Sequence, residues 1–199
     1  RYLENRNRAT PPEELNHPRP VIEGSKDEAA SEDFSAERAG QALAELSEIL
    51  EKVGNQMFLV SGTLLGYARN GSVLPHDKDI DVGIFGWASQ FDIIEAVVKT
   101  GRFKIFPRYL NGQRTHQLPV YHIETRMTMD MFIFHKEGNK FITGVNPPWG
   151  YLQRFEFSPF LLKEVEFLGV KTHVPANYDR HLTENFGNWR LPTPDYVSH

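Results

Sequence analysis

The chain has 199 residues, 40% of them hydrophobic, enough for one globular domain with a sizeable core. Its 26 acidic residues outnumber 22 basic ones, and a formal net charge of -4 provides no general basic field. Bulk binding of nucleic acid or an anionic membrane is therefore not suggested, and any phosphate site has to be local. Zero cysteines exclude a disulfide framework and a thiolate zinc site, while leaving the redox compartment open.

Residues 1–34 are rich in charge and proline with little apolar periodicity, and are read as a linker or arm before a domain spanning 35–199. The chain starts with Arg1 rather than Met, which suggests processing or excision from a longer protein with an anchor or neighbouring domain. No apolar run approaches the roughly 20 residues that cross a bilayer. From Ser35, a plausible N-cap, Ala39, Leu43, Leu46, Leu50 and Val53 recur at helical spacing up to Gly54. Gln56 to Val60 reads as a buried strand that runs into Ser61-Gly62-Thr63 and a short helix. The strand DIDVGIF and a helix from about Ala88 to Lys99 follow. RFKIFPRYL, QLPVYHIE, RMTMDMFIFH and NKFITGV read as successive strands with turns at Asn111-Gly112 and Glu137-Gly138-Asn139. Short strands near Val165–Phe167 and Lys171–Val174 precede a helix from about Tyr178 to Asn185, stopped by Gly187. The pattern predicts an α+β domain: a mixed sheet flanked by helices, with a small C-terminal strand and helix extension.

Alternation along an extended strand puts Asp79 and Asp81 on one face and Ile80 and Val82 on the other. Two carboxylates in one small volume repel unless a cation neutralises them or one holds a proton, and hard oxygen ligands at this spacing suit Mg2+ or Mn2+. Asp77 shares the alternation but follows Pro75 closely, which makes it the weaker candidate. An EF-hand loop fails at Val82, where glycine is needed, and at Ala88, where a bidentate Glu is needed. A solvated acidic turn is the bland alternative, but an apolar opposite face is a poor setting for unneutralised carboxylates. Asp130 interrupts an apolar strand; alone it fits an edge-strand aspartate facing water equally well. Coupled to Asp79 and Asp81, it completes a trio that can hold divalent ions and accept a proton from an attacking hydroxyl.

The turn before the acids offers the other half of a phosphoryl-transfer site. Gly62 allows close backbone approach, and Thr63 is expected to cap the next helix, leaving N–H groups and a hydroxyl for a phosphate. Arg69, a turn or two later, is a candidate counter-charge, with a solvated helical Arg as the alternative. Arg154 is a further phosphate candidate, although a surface strand Arg is the commoner outcome. Tyr121, His122 and Glu124 fall on a predicted strand, where His122 and Glu124 share a face and can line a cleft, against a satisfied structural histidine. Trp189 can stack on a sugar or base, against a core-capping role.

The segments SGTLLGYARNGSVLPHDKDIDVGIF, MTMDMFIF and VEFLGVKTHVPANYDRHLTENFGNW, within a match over residues 38–192, resemble the LicD and fukutin-type phosphotransferases of the nucleotidyltransferase superfamily. The resemblance implies a nucleotidyltransferase-like catalytic domain that moves a phospho-alcohol, of the phosphocholine or ribitol or glycerol phosphate type, from a CDP-activated donor to a glycan hydroxyl and releases CMP. On motif matching, Asp79 and Asp81 are the paired metal ligands and Asp130 the third acid, with Mg2+ or Mn2+ as cofactor. Gly62 and Thr63 form the donor-phosphate turn, and Arg69 holds a basic position of the motif. His76 departs from the tryptophan of many members, which bears on a local substrate contact rather than on the metal. Bacterial relatives work in the cytoplasm near membrane-bound glycans and eukaryotic ones in the Golgi lumen; the former is preferred here. The alternatives are a nucleotidyltransferase that attacks the α-phosphorus of an NTP, and a non-catalytic carbohydrate-binding or regulatory domain of the same fold.

Overall fold

A computed structural model describes residues 34–87, 90–106, 115–145 and 152–191. The arm expected over 1–34 lies outside them except for Phe34, which packs against the core. The Asn111-Gly112 turn and the predicted helix start at Ala88 also lie outside.

Helix α1 (Ala36–Lys52) starts at Ser35, whose hydroxyl accepts from the Arg38 N–H. It buries Ala39, Leu43, Leu46 and Leu50, the stripe expected from the spacing, and its chain leaves through Gly54 at φ 72°. The strand expected over Gln56–Val60 is reduced to β1 (Phe58–Leu59), because the chain turns into α2 (Ser61–Asn70) directly after Val60. Strand β2 (Asp79–Phe85) has its expected limits and is followed by α3 (Gln90–Lys99). The strands β3 (Phe103–Ile105), β4 (Gln117–His122), β5 (Met127–Glu137), β6 (Lys140–Val145) and β7 (Gln153–Phe157) come next. Strands β8 (Leu162–Phe167) and β9 (Val170–Pro175) form a hairpin turned by Leu168 and Gly169, both at positive φ, before α4 (Tyr178–Phe186).

The main sheet runs β3-β4-β5-β2-β1-β9-β8, with β6 joined to the far half of β5 and β7 to β6. It is mixed: β2 lies parallel to β5 and β1 parallel to β9, while the other pairings are antiparallel. The C-terminal hairpin thus extends this sheet through β9. One sheet face carries Ile80, Val82, Ile84, Met129, Met131 and Ile133, packed in one core with the buried stripe of α1. The other face carries Asp79 and Asp81 at one end and, farther along, a separate aromatic core of Phe58, Phe85, Phe132, Phe134, Phe141 and Phe157. Gly83 separates the two regions, since an added Cβ there would lie 2.3 Å from the Phe58 ring.

Candidate active site

Strand register assembles the acids. Asp81 lies opposite Asp130 across the parallel β2–β5 pair, and Asp79 lies opposite Thr128, so alternation puts all three carboxylates on one face. One carboxylate oxygen from each of Asp79, Asp81 and Asp130 falls within 4.8 Å of the others. β5 is an interior strand between β2 and β4, and Asp130 is 2% exposed, so the water-facing edge position does not occur. Asp79 and Asp81 are half-buried and open the cluster toward solvent. All-oxygen donors converging at this distance fit a hard divalent cation such as Mg2+ or Mn2+.

The turn before α2 is built around Asp81. The Gly62 N–H donates to Asp81 Oδ2 at 2.9 Å, and the Asp81 N–H donates to Thr63 Oγ1 at 2.8 Å. Thr63 does not cap the helix: α2 begins two residues earlier, and Val60 at the cap makes no side-chain bond. Ser61 has φ 49°, a costly conformation for a residue with a Cβ, and it turns the chain so that Gly62 meets the carboxylate. A Cβ on Gly62 would lie 3.2 Å from Asp81 Oδ2 and 3.7 Å from Asp77 Oδ1. A side chain at Gly62 would therefore press on the Asp81 carboxylate.

Asp77 sits at the edge of this group. Its Oδ2 accepts the Leu74 N–H at 2.8 Å and closes the turn that leads into β2. Burial pushes its carboxyl up from the ordinary range, the Leu74 bond and His76 oppose that rise, and the charge of Asp79 adds to it.

Gln117, which carried no signal in the sequence, belongs to the site. It stands opposite Phe132 at the start of β4, 4% exposed, and its Nε2 donates to Asp130 Oδ2 at 2.8 Å. A glutamine at a strand end has no characteristic spacing, and only the β4–β5 register brings it to the acid.

Other expected residues have different partners. The Arg69 guanidinium donates to the carbonyl oxygens of Trp189 and Leu191, which ties α2 to the C-terminal segment. Arg154 is an exposed residue on β7 that pairs with Glu137 at 2.8 Å and Glu156 at 3.4 Å. His122 and Glu124 do not share a strand face, because β4 ends at His122 and residues 123–126 turn. His122 is fully buried, with Nδ1 2.7 Å from Thr125 Oγ1 and Nε2 3.2 Å from Glu45 Oε2, a satisfied structural histidine. Trp189 is 8% exposed, joins the helix-side core and donates from Nε1 to Asp179 Oδ1.

A mixed sheet flanked by helices, with a glycine turn braced against Asp81 of the three clustered aspartates, defines a nucleotidyltransferase-type domain. The family model described as LicD/FKTN/FKRP, nucleotidyltransferase domain, matches residues 54–177, and the chain belongs to that family. The match is shorter at both ends than the expected extent of the resemblance, residues 38–192. Relatives include the ribitol-5-phosphate transferase FKTN of Homo sapiens, 29% identical over 157 residues, covering 77% of this chain and 33% of that protein. The ribitol 5-phosphate transferase FKRP of Homo sapiens is 28% identical over 165 residues, covering 74% of this chain and 31% of that protein. An uncharacterized protein of Rickettsia prowazekii is 28% identical over 152 residues, covering 75% and 54%. The chain spans about a third of the length of the FKTN and FKRP relatives. Among solved structures, ANT(2")-Ia in complex with adenylyl-2"-tobramycin aligns with a TM-score of 0.49 at 11% identity, covering 79% of this chain and 80% of that one. No helix among the described residues is long and apolar enough to cross a membrane.

Proposed function

We propose that the domain from Ser35 onward transfers a phospho-alcohol from a CDP-activated donor to a glycan hydroxyl and releases CMP, with Mg2+ or Mn2+ held by Asp79, Asp81 and Asp130. The observation that carries this reading is the register of Asp81 against Asp130, with Asp79 beside them and all three ligand atoms within 4.8 Å. Membership of the family and the FKTN and FKRP relatives, both ribitol 5-phosphate transferases, support this alcohol class, a pentitol phosphate being the first donor to test.

In this proposal the bound cation offsets phosphate charge and lowers the pKa of the attacking hydroxyl. The chain's own residues do the rest. Gly62 and Thr63 hold Asp81 from both its side chain and its backbone, so that the acid does not swing as substrates come and go. The α2 N-terminus, with no acidic residue in its first turn, turns its positive end toward the donor phosphates. The acceptor oxygen attacks the phosphorus bearing the alcohol, the bond to the CMP oxygen breaks, and the hydroxyl proton passes to the acidic trio, with Asp130 the proposed acceptor. Arg69 and Arg154 remain proposed donor cations only if a phosphate displaces their present carbonyl and carboxylate partners.

The test is product analysis with CDP-ribitol, CDP-glycerol and CDP-choline in the presence of Mg2+, each with a glycan acceptor. CMP release that vanishes in Asp79→Ala is expected. Pyrophosphate release from an NTP would instead establish the nucleotidyltransferase alternative, and full activity of Asp79→Ala would overturn the metal-site assignment.

A further inference from the structure

The Gln117 side chain donates its amide to an acid of the trio, and its surroundings leave it little freedom. It is 4% exposed, and its backbone neighbour is fixed by the Ile133 N–H and the Thr143 hydroxyl, both donating to the His116 carbonyl oxygen. Gln117 lies opposite Phe132 and Pro119 opposite Asp130, so the Gln117 side chain reaches diagonally across the β4–β5 pair to the carboxylate. A carboxylate can only accept, and an amide nitrogen can only donate, so the 2.8 Å contact has a defined direction.

Three chemical consequences follow. The bond fixes the rotation of the Asp130 carboxyl about Cβ–Cγ, since turning it would break a contact inside the protein where no solvent replaces it. A neutral amide leaves the full negative charge of Asp130 for a cation, whereas Lys or Arg in this place would compete with the cation for it. Asp130 also gains a supporting contact in kind with the one that Asp81 has from Gly62, so the two acids facing each other across β2 and β5 are each oriented by a donated N–H.

We propose that Gln117 is a positioning residue of the cation site: it holds Asp130 Oδ2 so that Oδ1 is presented toward Asp79 and Asp81. The inference rests on the metal-site reading above. It predicts that losing the amide weakens cation binding through Asp130 and through nothing else. Partners of this kind, hydrogen-bonded to a metal ligand, typically change affinity by about 10- to 100-fold.

The test is Mn2+ binding by isothermal titration calorimetry or electron paramagnetic resonance, without donor or acceptor, on wild type, Gln117→Met, Asp130→Asn and the double variant. Methionine keeps the length and much of the volume of glutamine while removing the donor. Circular dichroism and melting temperature establish that each variant is folded. Mn2+ affinity is expected to fall about 10- to 100-fold in Gln117→Met, with no further loss when the change is made on Asp130→Asn. A purely structural Gln117 would lower the melting temperature yet leave Mn2+ affinity unchanged, and that result overturns the proposal. Equal added losses in the two backgrounds overturn it as well, because the effect would not pass through Asp130. If Gln117→Met does not fold, Gln117→Leu is measured under the same criteria. Asp79→Ala serves as the separate control: Mn2+ affinity unchanged in that variant overturns the metal site itself, whereas loss there with retention in Gln117→Met overturns only the role of Gln117.

Discussion

Changing Asp130 to Asn should make the cation-free protein more stable while weakening its response to the cation. The three ligand atoms lie within 4.8 Å of one another, and two unit charges at that separation repel by about 3 kcal/mol at an effective dielectric constant near 20. Asp130 takes part in two such pairs. Asp79 and Asp81 are half-buried, so solvent screening reduces this considerably, and about 2 kcal/mol is a realistic net relief. Asparagine has the shape of aspartate and retains a carbonyl oxygen to accept the Gln117 N–H, so little packing or bonding is lost in exchange. For a domain of this length, about 2 kcal/mol corresponds to roughly 4–8 °C in melting temperature. Differential scanning calorimetry at pH 8 in chelator should find Asp130→Asn melting higher than wild type. Saturating Mn2+ should then raise wild type by about 3 kcal/mol at a hundredfold excess over Kd and raise the variant much less, so the order of stability narrows or reverses. A variant that melts lower than wild type in chelator, or that gains as much from Mn2+, would refute the idea that the carboxylates strain one another for want of a cation.

Two further outcomes test neighbouring parts of the structure. Gly62→Ala places a methyl 3.2 Å from Asp81 Oδ2, closer than carbon normally sits to oxygen, so the carboxylate has to give by a few tenths of an ångström; Mn2+ affinity measured calorimetrically should fall about tenfold with the fold intact, and unchanged affinity would mean that the turn does not set the acid's position. His181 is buried, stacked on Phe157 at 4.2 Å, and burial holds its pKa down at about 4, below its ordinary value near 6.5. The unfolded chain takes up that proton first, so the His181 contribution is complete above about pH 6.5 and is lost as pH falls toward 4. Urea unfolding of wild type against His181→Phe should therefore show wild type losing about 3 kcal/mol more over that interval, and parallel pH curves would contradict the burial of a neutral imidazole.

How far the sequence disclosed this site depended on which kind of order each residue obeys. β2 was legible because alternation is local: Ile80 and Val82 enter the core, and Asp79 and Asp81 must then face the other way. The α1 stripe was legible for the same reason at helical spacing. Thr63 was misplaced because a Thr after Gly imitates a helix cap, whereas a nonlocal bond from Asp81, 18 residues on, determines what its hydroxyl does. The role of Arg69 was equally hidden, since its carbonyl partners lie about 120 residues later. His122 and Glu124 looked like strand neighbours until a turn with Arg126 at positive φ closed between β4 and β5. Gln117 could be found only from strand register, which no single strand encodes.

The same parity that gathers the acids also explains why the aromatic core stands beside them. Continuing along the site-facing positions of β2, Asp79 and Asp81 give way to Gly83 and Phe85; on β5, Asp130 gives way to Phe132 and Phe134. Gly83 leaves room for the Phe58 ring from β1 to lie across the strand, and Phe58 in turn packs against Phe85, Phe134 and Phe160. The result is a dry wall along one side of a carboxylate cluster whose other side reaches solvent. A side chain at Gly83 would displace the Phe58 ring, which ties the glycine to the aromatic packing that adjoins the acids.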